Sequence, residues 1–262
     1  MMTVHQFRMQ DLIRKAKEER KTESDLEKVT KTESLRLESL SEYEASVSSG
    51  VCEAVNVTGV RICNDFVPHK LLQSVSESLA SMDGAFVKLR GRSCLPLGGT
   101  VTSKGLVPRD DIPLWLSDIM DRVYSIFLGP QSLPRPNHAL INAYEPGEGI
   151  MAHEDGPAYT PYATVLSLGS SAVFDFVSKS TDRKSMARMY LPIGSLLMFT
   201  DNAYKEVLHE YRSEKFDDLT GVYNLSNLDE TRLGDSILRR ADGVLVRGRR
   251  ISITMRHVPL AA

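Results

Sequence analysis

His153-Glu154-Asp155 is the arrangement in this chain best suited to chemistry. On an extended backbone residues i and i+2 project to one face, so the His153 imidazole and the Asp155 carboxylate can reach one point while Glu154 turns away. A neutral imidazole and a carboxylate, joined by a distant second histidine, make the facial ligand set of a non-haem Fe(II) centre with open coordination positions. His209, in Val207-Leu208-His209-Glu210, is the natural third ligand. Alone, His-x-Asp is a weak signal, met equally by a surface histidine beside two acids, so its weight depends on context.

The context lies near the C-terminus, in Arg250-Ile251-Ser252-Ile253-Thr254-Met255-Arg256. Alternation puts Ile251, Ile253 and Met255 on one face of a strand and Arg250, Ser252, Thr254 and Arg256 on the other. Two arginines directed into a barrel interior are costly unless an anion meets them, and a guanidinium pairs bidentately with a carboxylate. A dicarboxylate cosubstrate would satisfy them; an edge strand with a merely wet polar face is the plainer alternative. Asn142-Ala143-Tyr144 is a second i, i+2 pair, whose amide and phenol could hydrogen-bond the same acid. Zinc hydrolysis could use the same histidines and aspartate, but leaves Arg250 and Arg256 without a purpose.

These groups must be carried by a scaffold. Leu71, Leu72, Val75, Leu79 and Met82 have helical spacing, and a second helix is expected from Asp110 or Asp111, with Pro113 near its first turn and Trp115, Ile119, Val123 and Ile126 on one face. A strand-like Gly59-Val60-Arg61-Ile62 precedes them. From about Asn137 the pattern becomes short β-rich runs broken by turn signals, with strands expected at 137–145, 162–168, 172–177, 187–191, 195–199 and 244–257. Strands following two helices point to an α+β chain whose catalytic half is a sandwich or barrel. Residues 1–55, rich in Glu, Lys, Ser and Thr, read as a helical or partly disordered arm, and 56–262 as the catalytic domain. The polar stretch 212–240 reads as a long insertion.

Composition narrows the classes. The 262 residues are 42% hydrophobic and 25% charged, which excludes a chain disordered or fibrous throughout. No apolar run approaches the roughly 20 residues of a spanning helix, so no membrane partner is expected. A polar, charged beginning argues against a secretory signal. Cys52, Cys63 and Cys94 form no close-spaced metal cluster and suit a reducing compartment, with the nucleus and cytoplasm the expected locations. The net charge of −2 hides two basic stretches. Gly84 to Arg109 holds Lys88, Arg90, Arg92, Lys104 and Arg109 without an acid. Thr231 to His257 holds Arg232, Arg239, Arg240, Arg247, Arg249, Arg250 and Arg256 against Asp235 and Asp242. Both are candidates for binding an anion, or are simply solvated arginines.

Asn-x-Tyr at 142–144, Pro146-Gly147-Glu148-Gly149-Ile150, His-x-Asp, a distal His and Arg-x-Ser-x-Thr-x-Arg together resemble the AlkB family of Fe(II)/2-oxoglutarate-dependent dioxygenases. The run from Tyr144 to Leu168 is most similar to the AlkB homolog six subgroup. The likeness covers about residues 58–260. It implies a double-stranded β-helix core of the jelly-roll or cupin-like kind, flanked by N-terminal helices. By the same resemblance His153, Asp155 and His209 bind Fe(II). Arg250 holds the distal carboxylate of 2-oxoglutarate with Asn142, Tyr144 and Ser252, and Arg256 lies near its metal-chelating end. Ser252 stands where family enzymes more often have Asn, and the 41 positions from His209 to Arg250 exceed the usual interval. Where relatives carry a lid Trp and Asn-Trp-Gly-Gly, this chain has Ala85-Phe86-Val87 and Pro96-Leu97-Gly98-Gly99, which leaves substrate identity open.

The implied reaction consumes O2 and 2-oxoglutarate and removes an alkyl group oxidatively from a base in RNA or DNA, releasing succinate, CO2 and formaldehyde. The target would be single-stranded or flipped out of a duplex. Lys88, Arg90 and Arg92, in a lid of about 84–109, are candidates for phosphate contacts, as is the 232–249 region. Tyr159 and Tyr162 are candidates for stacking on a base, or are core aromatics. Alternatives are hydroxylation or demethylation of a protein or small substrate, and a weakly active binder of modified RNA. The sequence leaves oligomeric state open.

Overall fold

A computed structural model describes residues 51–53, 57–225 and 243–261. Of the arm expected at 1–55, residues 1–50, 54 and 55 lie outside them, as do Arg232, Arg239, Arg240 and the distal part of the insertion; its Val51–Glu53 is instead a strand paired with Val60–Cys63, in place of a helical or disordered segment. Two antiparallel sheets face one another. The larger has the order β1 (Val51–Glu53), β2 (Val60–Cys63), β12 (Leu196–Phe199), β9 (Ala163–Leu168), β16 (Arg250–Arg256), β7 (His138–Tyr144), β4 (Ser93–Leu97), β3 (Val87–Lys88). The smaller runs β11 (Ser185–Leu191), β10 (Ala172–Ser178), β13 (Val207–Tyr211), β8 (Ile150–His153).

Alternation builds two cores, one on each side of the larger sheet. Outward-facing Leu95, Ile141, Leu166, Met198, Ile253 and Met255 pack against α1 (His69–Ala80) and α2 (Leu114–Val123), whose stripes supply Val75, Leu79, Trp115, Ile119 and Val123. Inward-facing Ile62, Val165, Leu197 and Phe199 meet Phe174, Phe176, Met189 and Val207 from the smaller sheet. With both faces covered, all six residues of β9 are buried, including the polar Thr164 and Ser167, whose hydroxyls meet the Met255 carbonyl and Arg250. The architecture is a double-stranded β-helix with helices on one side, α+β overall.

Three boundaries differ from expectation, each for a tertiary reason. Helix α2 starts at Leu114 because Pro113 is extended (φ −66°, ψ 152°) and Asp111 is spent elsewhere. Its carboxylate accepts from the Gly98 amide at 2.6 Å and pairs with Arg109. The run 244–257 is two strands. Val244–Val246, β15, pairs with β14 (Phe216–Asp218) in a sheet of its own, and only Arg250–Arg256 enters the large sheet. The stretch expected as a lid contains β4, a full member of the large sheet, and a hairpin of β5 (Gly99–Thr102) and β6 (Gly105–Pro108). The described start of the insertion is anchored: Leu219, Val222 and Leu225 pack on Val173 and Tyr190. Asn224 also bonds both the N–H and C=O of Tyr190 at 2.8 Å, completing an edge strand with a side chain.

Candidate metal centre

Strand β8 ends at His153, and its neighbour β13 places His209 directly opposite. The two imidazoles lie 4.3 Å apart, centroid to centroid. Asp155 sits two residues past the strand end and is drawn inward by Arg256, whose Nη2 is 2.5 Å from Asp155 Oδ1. Glu154 turns to solvent and pairs with Lys179 at 2.8 Å. Ligand atoms of His153, Asp155 and His209 all lie within 4.8 Å of one another, a group that could hold a metal ion.

The turn before β8 sets this register. Gly147 has φ 95°, the left-handed region that favours glycine, and its N–H bonds the Glu214 carbonyl at 3.1 Å. A Cβ on Gly149 would stand 2.2 Å from the Tyr211 carbonyl oxygen, so only glycine lets the turn pass under the end of β13.

Protonation states suit a divalent cation. Burial pushes His209 down to about 3 and also lowers His153, so both imidazoles are neutral at pH 7. His153 Nδ1 lies 2.9 Å from the Met151 carbonyl; facing an acceptor, it carries the proton and leaves Nε2 free as a ligand. Burial raises the Asp155 carboxyl, but Arg256 and the two histidines outweigh it, holding the group below the usual carboxylate range. Its Oδ2 is buried and has no hydrogen-bond partner among the described residues. Two neutral nitrogens and one anionic oxygen with an unsatisfied lone pair are an Fe(II) donor set. Phe174 stacks on His209 (5.7 Å, 18°) and Phe199 packs beside it at 4.9 Å, together shielding it from water.

Arg250 also faces this interior. It is 1% exposed, and its nearest described polar contact is a 3.1 Å bond from Nη2 to Ser167 Oγ. Nε is unpartnered, and no carboxylate pairs with it among the described residues. Burial depresses its basicity. A buried guanidinium without an acid calls for an anionic ligand. Register places Tyr144 beside Arg250 and Asn142 beside Ser252. The buried Tyr144 phenol, held neutral by burial, contacts Ser252, while Asn142 Oδ1 accepts from Arg92 Nε at 2.9 Å. These residues form one polar face, and a dicarboxylate fits its free donors.

The substrate candidates divide. Tyr159 lies at the site, its ring 4.7 Å from the Arg256 guanidinium. Tyr162 does not: it is 0% exposed, belongs to the helix-side core and donates to the Pro134 carbonyl at 2.8 Å, correcting the stacking expectation. Tyr162→Phe is expected to cost about 1 kcal/mol by leaving that carbonyl unpaired, while substrate affinity is unchanged; chemical denaturation and a binding titration check both. Arg92 points inward to Asn142, and Lys88 pairs with Glu148 at 2.5 Å, leaving Arg90 exposed. Arg247 is buried in an ion pair with Asp217, and Arg249 pairs with Asp83 and Glu145. Among the described residues of the two basic stretches, Lys88, Arg109, Arg247, Arg249 and Arg256 are thus each paired with an acid.

Sequence reasoning missed Tyr211, Ser167, Phe174, Phe199 and Tyr204. Tyr211 had a signal, since it is two residues beyond His209 on the same strand face. Tyr204, in α3 (Asp201–Lys205), stacks on Phe199 and brings a buried hydroxyl, unpartnered among the described residues, near the charges of Asp155 and Arg256.

His138, also on this face, is 3% exposed, and burial with Arg256 and Arg109 pushes it down to about 4. An unfolded chain protonates it near pH 6.5, so folding must strip that proton in acid. Stability contributed at this position is therefore intact above about 6.5 and falls as pH drops toward 4. Replacing His138 with leucine is expected to remove roughly 2–3 kcal/mol of the difference between urea unfolding free energies at pH 7 and 4.5. An unchanged difference would show that the imidazole is protonated in the fold.

Comparison with known proteins agrees with this geometry. Residues 95–256 match the model described as the 2OG-Fe(II) oxygenase superfamily. A Danio rerio protein named "Probable RNA/DNA demethylase ALKBH6" is 33% identical over 185 residues, covering 66% of this chain and 74% of that protein. A Macaca fascicularis protein named "tRNA (carboxymethyluridine(34)-5-O)-methyltransferase ALKBH8" is 35% identical over 150 residues, 56% of this chain and 21% of the relative. The solved structure of OsALKBH1 superposes with a TM-score of 0.53 at 16% identity, covering 79% of this chain and 99% of that one, a likeness of fold.

Proposed function

The chain belongs to the AlkB family of the 2OG-Fe(II) oxygenase superfamily, and we propose that it demethylates N-alkylated bases in RNA or DNA. The observation that carries this reading is the meeting of the His153–Asp155–His209 cluster with an uncompensated buried Arg250 in one interior. Iron(II), 2-oxoglutarate and O2 together supply an oxidant able to hydroxylate an alkyl carbon, with succinate and CO2 as coproducts. A hydroxylated N-methyl group then collapses to formaldehyde and the free base.

In this reading His153, Asp155 and His209 hold the iron. Arg256 fixes Asp155 through one oxygen and leaves the other for the ion. Arg250 binds the distal carboxylate of 2-oxoglutarate, with Tyr144, Asn142 and Ser252 completing the pocket. The target base is extruded or already single-stranded, since its alkyl group is inaccessible in a stacked duplex. Tyr159, beside Arg256, is the aromatic residue placed to meet it. The relative from Danio rerio, whose printed name specifies RNA/DNA demethylation, supports this substrate class.

A second reading, oxidation of a protein or small molecule, is favoured by one observation: Lys88 and Arg109 are already paired with Glu148 and Asp111. Anaerobic loading with Fe(II) and 2-oxoglutarate, then exposure to O2 with a panel of methylated oligonucleotides, separates the two. Succinate and formaldehyde released in step with base demethylation are expected. Succinate produced with no oligonucleotide demethylated would overturn the nucleic-acid substrate, and an inert protein would overturn the activity. Oligonucleotide affinity should also fall steeply with salt; a flat response would point to a protein or small-molecule substrate.

A further inference from the structure

Tyr211, two residues past His209 on β13, is 2% exposed and has two guanidinium groups over its ring. The Arg250 guanidinium carbon lies 4.8 Å from the ring centroid and that of Arg247 lies 4.1 Å away. Tyr144 meets the same ring edge-on at 5.0 Å and 72°.

The two arginines are held very differently. Arg247 is saturated. Its Nε and Nη2 reach Asp217 at 2.8 and 2.5 Å, and Nη1 donates to the carbonyls of Glu214, at 2.9 Å, and Arg212. Asp217 also accepts from the Val173 amide at 3.3 Å, tying the β14–β15 sheet to β10. Arg250 has the single described bond to Ser167, so aromatic surfaces do most of the work of orienting its guanidinium. The order of constraint runs from Asp217 to Arg247, from Arg247 to the Tyr211 ring, and from that ring to Arg250. Asp217 lies at the base of the insertion, outside the cluster of metal ligands.

We propose that Arg247, neutralised by Asp217, is a positioning residue for the 2-oxoglutarate pocket, acting by packing on the Tyr211 ring against which Arg250 is oriented. The inference rests on the reading of Arg250 as the carboxylate anchor and adds that the base of the insertion sets cosubstrate affinity. A planar guanidinium receives a carboxylate through two parallel bonds, so its tilt matters as well as its charge. The Asp217–Arg247 pair is neutral as a unit, so removing both charges changes the packing on Tyr211 without adding net charge near the pocket.

The test is calorimetric titration of 2-oxoglutarate into Mn(II)-loaded protein, with Mn(II) affinity measured separately without 2-oxoglutarate. The double variant D217N/R247M and the single variant Tyr211→Leu are each expected to raise the 2-oxoglutarate Kd about tenfold with Mn(II) affinity within about twofold of wild type. Tyr211→Phe, which keeps the ring face, should restore a Kd within about threefold. Wild-type Kd in both folded variants would overturn the proposal. So would a Tyr211→Phe Kd as weak as that of Tyr211→Leu, which would assign the effect to the hydroxyl. Parallel loss of Mn(II) binding would reduce the pair to a structural role, and again overturn it. If wild-type protein binds Mn(II) but not 2-oxoglutarate, the failure lies instead with the cosubstrate reading itself.

Discussion

Replacing Arg250 with methionine is expected to weaken 2-oxoglutarate binding by about two orders of magnitude or more while leaving the ligand-free protein no less stable than wild type. The two effects have a common origin. Arg250 is 1% exposed, bonded only to Ser167 among the described residues, and ion-paired with no acid there. Folding therefore desolvates a cation that only Ser167 and the Tyr144 and Tyr211 rings partly compensate, and a side chain of similar length without the charge removes that penalty; comparable replacements of buried charge are neutral or stabilising. The bound carboxylate supplies the missing partner. Truncating one side of a buried, hydrogen-bonded charge pair costs roughly 2–5 kcal/mol, or about 30-fold to several thousandfold in affinity. Calorimetric titration and thermal unfolding of the same sample measure both. A variant that binds 2-oxoglutarate normally would remove Arg250 from the site, and one that unfolds readily would show the guanidinium to be structural.

The opposite stability response is expected at Asp155. Its side chain is 4% exposed and paired with Arg256, itself 7% exposed. Asp155→Ala leaves Arg256 buried with its strongest partner gone, which costs roughly 3–5 kcal/mol. It also removes the only anionic ligand from the cluster. Disturbing groups that merely orient ligands costs 10- to 100-fold in metal affinity, so loss of the ligand itself should exceed about 100-fold and abolish succinate production. Combining Asp155→Ala with Arg256→Met should recover most of the stability and none of the metal binding. Restored metal affinity in that double variant would show that the carboxylate is not a ligand. Unfolding midpoints, Mn(II) titration and succinate assays separate the outcomes.

Local periodicity made part of this legible. Alternation in β16 placed Ile253 and Met255 in the helix-side core and Arg250, Ser252, Thr254 and Arg256 inside, as the pattern requires. The helical spacing of Leu71 to Leu79 likewise marks a real helix packed on the sheet. Charge counted along the chain was misleading for a physical reason: Coulomb pairing depends on distance in space, and the acids that meet Lys88, Arg247 and Arg249 come from Glu148, Asp217, Asp83 and Glu145. Tyr159 and Tyr162 could not be told apart, because three residues separate a ring at the site from one sealed beneath the sheet. The break between β15 and β16 was hidden for a similar reason: β-rich residues continue through it, and only their partners differ.

The sequence by itself determined which groups could bind a metal and an anion, and which face of each strand would carry them, because side-chain alternation is a property of a single extended chain. Tertiary structure decided that His209 stands opposite His153, that Arg256 is spent on Asp155 while Arg250 has no acid paired with it among the described residues, and that Tyr211 packs against two arginines. Those relations join residues dozens of positions apart, and strand register and burial fix them only when the sheets close.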